Sequence, residues 1–148
     1  MVIFISIKLK KLFEQERDYK WKKPKQCPRC GGCRLWGHGY APVLFDGFRK
    51  PLLIKRNRCP DCHCVIRFRP KGYFGRIQAS KNAIRSCISG KLKYAKCPGS
   101  ISRSRRRHWV MALTRRIKAH FGDTWQKSIL KGLNYLAFLG HIPVSRSI

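Results

Sequence analysis

Two pairs of cysteines in this chain have a spacing that suits a shared metal ion. Pro-Arg separates Cys27 from Cys30, and Pro-Asp separates Cys59 from Cys62. Two intervening residues let one tight turn present both sulfurs to the same ion, and the proline restricts the local backbone. Four thiolates are a ligand set of structural zinc sites. The sequence therefore predicts one structural Zn²⁺ bound by Cys27, Cys30, Cys59 and Cys62.

Further potential ligands lie close to these pairs. Cys33 and Cys64 could shift the ligand set, and His38 or His63 could replace a thiolate with a ring nitrogen. We favour the two Cys-Pro-x-Cys pairs because the segments then match each other. A redox role for Cys-x-x-Cys is the competing chemistry, but it requires one isolated pair beside a βαβ pattern, which the sequence lacks.

Positive charge dominates the composition. The 148 residues include 34 Lys and Arg but only 6 Asp and Glu, which gives a formal net charge of +28. Internal ion pairs cannot neutralise this excess, so we expect a polyanionic partner, with duplex DNA first and RNA as the alternative. A membrane is the weaker reading, because no segment has the roughly 18 apolar residues of a spanning helix.

The cysteine count bears on the compartment. The apolar run at the N-terminus precedes its lysines, whereas a secretory signal has the reverse order and a cleavage site. We therefore predict a cytoplasmic protein, associated with a bacterial nucleoid. Because thiols stay reduced there, we interpret the eight cysteines as metal ligands or buried apolar residues. Cys87 and Cys97 are predicted to be buried apolar residues.

The chain divides into three predicted parts. Residues 1–25 are predicted to be a basic N-terminal arm. Residues 3–17 could form a strand or a short helix, but we favour a solvated arm with some apolar anchors. Residues 26–75 contain short segments separated by glycine and proline, which predict a small antiparallel sheet built on zinc, a zinc ribbon. Residues 78–148 have helical periodicity. The predicted fold class is α+β, a zinc ribbon followed by a basic three-helix unit that resembles a helix-turn-helix.

The helical part is predicted to contain helices over about 80–94, 102–121 and 123–139. Ser80 caps the first helix. The second has apolar residues at successive i, i+4 steps from Trp109 to Phe121. Asp123, followed three residues later by glutamine, resembles a capping box and is predicted to begin the third helix.

Basic side chains on two elements are candidates for nucleic-acid contacts. Arginine can bridge phosphates or read guanine in the major groove. Four neighbouring aromatic residues could stack on bases, although we favour core packing for Trp36, Tyr40, Tyr73 and Phe74. The predicted nucleic-acid-binding residues are Lys55, Arg56, Arg58, Arg67 and Arg69 in the ribbon, and Arg103, Arg105, Arg106, Arg107, Arg115, Arg116 and Lys118 in the second helix of the helical part.

The sequence resembles a known family over residues 27–70. Cys-Pro-Arg-Cys-Gly-Gly, a Gly-His-Gly step, the basic strand Ile54–Arg58 running into Cys-Pro-Asp-Cys, and Phe68-Arg69-Pro70 are similar to the N-terminal zinc ribbons of insertion-sequence transposases and to small transposon-linked proteins. The resemblance implies a DNA-binding ribbon and helix-turn-helix, commonly acting at element ends. A separate transposase is then a possible partner.

A catalytic transposase needs a set of carboxylates to hold Mg²⁺ at the scissile phosphate. The chain does not offer a free trio, since its acids are Glu14, Glu16, Asp18, Asp46, Asp61 and Asp123. The sequence therefore predicts a zinc-dependent DNA-binding protein of mobile-element type that is not an enzyme, acting as an accessory, fragment or regulator. The alternative is an RNA-binding structural protein such as a ribosome component.

Overall fold

A computed structural model describes residues 1–94 and 101–145, without the side chains of residues 91–94. Cys97, predicted to be buried, lies outside the described residues. The chain divides into two compact units, Met1–Gln78 and Ala79–Ile148. The α+β class is confirmed: among the described residues there are a four-stranded sheet and four α-helices.

The sheet of the first unit is mixed, whereas the sequence predicted an antiparallel one. Its spatial order is β1-β4-β3-β2, with β1 parallel to β4 and the other neighbours antiparallel. The added parallel pair comes from the N-terminal segment, for which a strand was the alternative to the favoured solvated arm. The strands are β1 (Val2–Ile5), β2 (Trp36–Val43), β3 (Leu52–Arg58) and β4 (Val65–Pro70).

The prediction of a separate solvated arm over residues 1–25 is wrong, because this segment completes the core of the first unit. Ile3 pairs in register with Phe68. Helix α1 (Leu9–Gln15) buries Leu12 in the same apolar cluster as Phe68, and the Trp21 ring stacks on Phe68 with centroids 5.5 Å apart. Burying such side chains stabilises the fold by about 1.5–3 kcal/mol each, which outweighs the local basic charge.

Alternation along the strands separates a core face from an outer face. Ile66 and Phe68 on β4 are almost fully buried, and Asn57, which pairs with Ile66, is buried beside them. Arg67, between Ile66 and Phe68, is exposed on the other face. The turns that contain the two cysteine pairs lie at one end of the sheet. There Cys27 and Cys59 pack with Leu35 and Ile66.

The second unit contains α2 (Lys81–Tyr94), α3 (Arg103–Phe121) and α4 (Ile129–Phe138). The cap predicted at Ser80 is confirmed, because Ser80 Oγ accepts from the Ala83 N–H at 3.1 Å, and Ser102 caps α3. The predicted cap at Asp123 is wrong. Ser128 caps α4 instead, and Asp123 forms an exposed ion pair with Lys118 at 3.0 Å.

The core of the second unit follows the predicted apolar stripe of α3. Trp109 and Leu113 are fully buried, and Ile117 is nearly so. Gly132 on α4 allows a close approach, because a Cβ at that position would overlap the Ile117 side chain, with Cγ1 at 2.7 Å. Cys87 is buried, as predicted.

The connection between α3 and α4 does not have the short form of a helix-turn-helix. Residues 122–128, seven in number, separate α3 from α4, whereas that motif has a turn of about three or four residues. The helix-turn-helix assignment therefore stays a prediction. Within the described part of the chain, no helix has the length and apolar character needed to cross a membrane.

Candidate metal centre

Four cysteine sulfurs converge at one end of the sheet in the first unit. The Sγ atoms of Cys27, Cys30, Cys59 and Cys62 all lie within 4.8 Å of one another. Cys27 Sγ is 3.6 Å from Cys62 Sγ, and Cys30 Sγ is 3.5 Å from Cys59 Sγ. A tetrahedron with Zn–S bonds near 2.3 Å has sulfur–sulfur edges of about 3.8 Å. The cluster therefore has the size that a tetrahedral metal ion requires.

The two cysteine turns have matching backbone geometry. The N–H of the first cysteine donates to the carbonyl five residues later in both turns, from Cys27 to Gly32 at 2.8 Å and from Cys59 to Cys64 at 3.0 Å. The residue after each second cysteine has a positive φ, 76° at Gly31 and 56° at His63. Each turn therefore presents two sulfurs in the same way. Glycine at position 31 adopts the positive φ without strain, whereas histidine at position 63 does so at some cost.

Asp61, in the turn of Cys59 and Cys62, also contacts the turn of Cys27 and Cys30. Asp61 Oδ1 accepts from Arg34 Nη2 at 3.1 Å, and Asp61 Oδ2 lies 3.8 Å from Cys59 Sγ. Gly32 makes this approach possible, because a Cβ there would overlap the Asp61 carboxylate and lie 3.4 Å from Cys30 Sγ. The exposed ion pair contributes little energy by itself, but it links the two turns around the cluster.

Hydrogen bonds set the pKa values of two thiols apart. Donation from the Arg29 N–H, and then from the Cys30 N–H, lowers the pKa of Cys27 to about 6. At Cys30 the Gly32 N–H favours the thiolate, but the sulfurs of Cys62 and Cys59 outweigh it and raise the pKa to about 12. The Cys27 thiolate therefore forms readily, whereas a bound cation must displace the proton of Cys30.

The alternative ligands lie outside the cluster. Cys33 Sγ and Cys64 Sγ each face a local carbonyl oxygen at 3.9 Å. His63 Nδ1 is 3.4 Å from Arg58 Nη2 and is not part of the four-sulfur group, nor is His38 on β2. Among the described residues, the structure brings together the four cysteines that the matching turns favoured.

The donor set fits a structural metal ion such as zinc. Four sulfur ligands complete a tetrahedron and leave no position for a substrate or water, in contrast to catalytic zinc sites. Cys27 and Cys59 are buried, Cys62 is partly buried and Cys30 is exposed. The residues can thus hold one ion at the edge of the core, where it would join the two turns.

The predicted nucleic-acid-binding residues of the first unit have different surroundings. Arg58 and Arg67 are exposed, and Lys55 and Arg56 are partly exposed. Lys55 Nζ lies 4.7 Å from the Tyr40 ring centroid. Arg69 points inward, where it donates to the carbonyl oxygens of Phe74 and Ile77. It therefore stabilises the loop after β4 rather than belonging to the exposed basic surface.

The basic residues of α3 also divide by exposure. Arg106 is only 6% exposed and belongs to the buried stripe, so its prediction as a surface contact is wrong. Arg105 is partly buried, with its guanidinium 4.9 Å from the Trp109 ring centroid. These side chains are shielded because Arg106 lies within the buried stripe and Arg105 lies beside it. The exposed members of the predicted set are Arg103, Arg107, Arg115, Arg116 and Lys118.

Trp36 is a surface residue that the sequence interpretation placed in the core. Its side chain is 61% exposed, whereas Phe74 is buried and Tyr40 and Tyr73 are partly buried. The register pairs Trp36 with exposed Arg58. Strand alternation from the buried Ile66 could have identified this position as outward-facing, had the pairing been known.

Comparisons with known proteins do not add a family to this site. No protein-family model, no curated protein and no solved structure matches the chain. The resemblance to transposase zinc ribbons therefore stays a prediction from the motifs. The observations that bear on its function are the four-cysteine cluster and the net charge.

Proposed function

We propose that the protein is a zinc-dependent DNA-binding protein that binds duplex DNA through α3 and acts without catalysis as an accessory, fragment or regulator in a mobile element. The single observation that carries this proposal is unneutralised charge. Six acids can pair with at most six of 34 basic residues, which leaves 28 cations without a carboxylate. Phosphate groups are the counter-charge that nucleic acid supplies in a dense array.

Helix α3 offers a suitable surface for a duplex. With 3.6 residues per turn, Arg103, Arg107 and Arg115 fall with Lys118 in a sector of about 120° that lies away from the stripe of Trp109. Three of these four have no acidic partner among the described residues, while Lys118 pairs with Asp123. A B-DNA major groove admits one α-helix, and arginine can reach both phosphates and guanine from such a face.

Zinc would act in this protein as a structural element. The first unit has a small sheet and long connections, and the metal would join the turn before β2 to the turn before β4. In small domains of this kind the free energy of metal binding is free energy of folding. Loss of the ion would therefore disturb the basic surface of the sheet indirectly.

The placement of the acids supports a non-catalytic role. Glu16 is in contact with Lys50, whose hydrogen bond and charge lower the pKa of Glu16, while Asp61 and Asp123 form ion pairs with Arg34 and Lys118. Within the described residues, the four cysteines are the group found with three or more potential metal ligands close together. A magnesium-dependent nuclease would instead need converging carboxylates.

The test is competition binding of the full-length, zinc-loaded protein to duplex DNA and structured RNA at matched salt. The logarithm of duplex affinity should fall with the logarithm of salt concentration, with a slope of about −0.9 per phosphate contacted. Arg107→Ala with Arg115→Ala should weaken duplex binding more than Arg17→Ala with Arg49→Ala, a control pair that removes the same charge from exposed sites of the first unit.

The same assay separates specific from non-specific contacts. If the α3 arginines read bases, the double variant loses more affinity for a selected DNA site than for random DNA, because base contacts specify while phosphate contacts position. Tighter binding to structured RNA than to every DNA would favour the ribosome-like alternative. Affinity that does not change with salt would contradict a nucleic-acid partner.

A further inference from the structure

One face of the sheet carries exposed aromatic and basic side chains. Directly paired residues lie on the same face, as do residues two apart along a strand. Trp36 pairs with Arg58, Arg56 with Arg67, and Arg67 with Val2. We define the outer face as Val2, Phe4, Trp36, Arg56, Arg58 and Arg67, which this register places on one side of the sheet. Arg69 and Ile54 lie on the same side, but Arg69 turns inward and Ile54 is buried.

Large apolar side chains remain exposed at both edges of the outer face. Trp36 on β2 is 61% exposed and Phe4 on β1 is 43% exposed, while Val2 beside Phe4 is 47% exposed. The strand order puts β1 and β2 at opposite edges, about 14 Å apart at three inter-strand spacings. A stacked nucleic-acid strand rises 3.4 Å per nucleotide, so the outer face is wide enough for several nucleotides.

Three arginines lie between the two aromatic edges and lack acidic partners. None of the four strands contains an aspartate or glutamate. Among the described residues, no carboxylate pairs with Arg56, Arg58 or Arg67. Arg58 Nη2 lies 3.4 Å from His63 Nδ1, and Arg56 Nε is shielded from solvent with no hydrogen-bond partner in the described structure. The face is therefore complementary to an anion.

We propose that the outer face binds single-stranded DNA, with unpaired bases stacking on Trp36 and Phe4 and with phosphates contacting the arginines. This inference rests on the proposed function and names a second form of its ligand. Duplex bases present only their edges in the grooves, whereas unpaired bases present the flat surfaces on which an exposed indole can stack. Aromatic platforms beside guanidinium groups are the usual means of binding single strands.

The experiment uses the full-length, zinc-loaded protein and three DNA probes. They are an oligothymidylate of about 12 nucleotides, an abasic oligomer of equal length, and a hairpin duplex. The abasic oligomer keeps the phosphates and removes the bases, so it isolates stacking from charge. The wild-type protein should bind the oligothymidylate more tightly than the abasic oligomer.

Trp36→Ala should weaken binding to the oligothymidylate roughly 5- to 150-fold, the range expected for the loss of one stacked base. Its affinity for the abasic oligomer and the duplex should stay within about twofold of wild type. Phe138→Ala is the matched control, because Phe138 on α4 is 87% exposed and lies in the second unit. This control should bind all three probes as the wild type does.

Tryptophan fluorescence provides a second readout that does not depend on removing the aromatic ring. Stacking should quench the emission of exposed Trp36 when oligothymidylate binds. Trp36→Phe should keep most of the affinity but lose this quenching. Retention of the zinc stoichiometry in both Trp36 variants excludes unfolding as the cause of any loss.

Two results would overturn the inference. One is equal wild-type affinity for the oligothymidylate and the abasic oligomer. The other is unchanged oligothymidylate binding in a Trp36→Ala, Phe4→Ala double variant. If duplex binding persists in either case, the proposed function stands and only the single-strand site fails. If the protein binds no nucleic acid at all, both proposals fail together.

Discussion

Gly132→Ala tests the packing that orients α3, and two opposing effects determine its outcome. Alanine in a helix interior is favoured over glycine by about 1 kcal/mol. The new Cβ would overlap the Ile117 side chain, with Cγ1 at 2.7 Å, and Ile117 is only 4% exposed. Overpacking of this kind costs about 1–3 kcal/mol. We therefore expect a net destabilisation of about 0–2 kcal/mol.

A double-mutant cycle with Ile117→Ala separates these two effects. Ile117→Ala alone should cost about 2–5 kcal/mol because it leaves a cavity beside Gly132. The same change in the Gly132→Ala background should cost about 1–3 kcal/mol less, since the new methyl group then occupies the vacated space. Urea unfolding of the full chain, followed by helical circular dichroism, measures all four free energies. A Gly132→Ala variant that is about 1 kcal/mol more stable, with no coupling to Ile117, would refute the close approach.

Three further predictions concern the cysteine turns and the helical core. Gly31→Ala should destabilise the first unit by about 1–2 kcal/mol, because φ at Gly31 is 76°. His63→Ala should be neutral or mildly destabilising, because a residue with a Cβ already occupies that position. Urea midpoints of the zinc-loaded variants measure both effects. Trp109→Ala should cost about 3–5 kcal/mol and reduce the helical signal, because Trp109 is fully buried, whereas Met111→Ala on the exposed side should cost under 0.5 kcal/mol. Zinc affinity, measured with a chromophoric chelator, should fall as pH falls. Bound zinc holds the thiol pKa values below their ordinary range, so the stability that it adds is present above that range and lost in acid. Without metal Cys27 has a pKa of about 6, so a zinc affinity that is constant from pH 8 to 5 would contradict thiolate ligation.

Local features of this protein were predictable from its sequence. The four-cysteine cluster depends on two short turns, each specified by its own Cys-Pro-x-Cys spacing, and the structure brings those four sulfurs together. The buried stripe from Trp109 to Ile117 follows directly from helical periodicity, and the caps at Ser80 and Ser102 depend on adjacent residues. In each case the determining interactions lie within a few residues of one another.

Long-range pairing was not predictable in the same way. The parallel pairing of β1 with β4 joins residues more than 60 positions apart, and a short apolar run such as Val2–Ile5 has no local signal for its partner. The start of α4 was misplaced because Asp123 and Ser128 are both good caps, and only tertiary packing selects between them.

Exposure on the functional surfaces also depended on tertiary structure. Arg106 is buried because it lies one helical turn before Trp109, in line with the buried stripe, and Trp36 is exposed because its register places it opposite Arg58. The charge of a side chain predicts what it can bind. Its accessibility follows only from the pairing and packing around it.

The central claim is that one zinc ion, held by Cys27, Cys30, Cys59 and Cys62, organises the first unit. Native mass spectrometry of the full-length protein measures this directly. We expect one Zn²⁺ per wild-type chain, one in a Cys33→Ser, Cys64→Ser control, and none after Cys59→Ser with Cys62→Ser. Zinc retained by the Cys59→Ser, Cys62→Ser variant, or lost from the control, would contradict it.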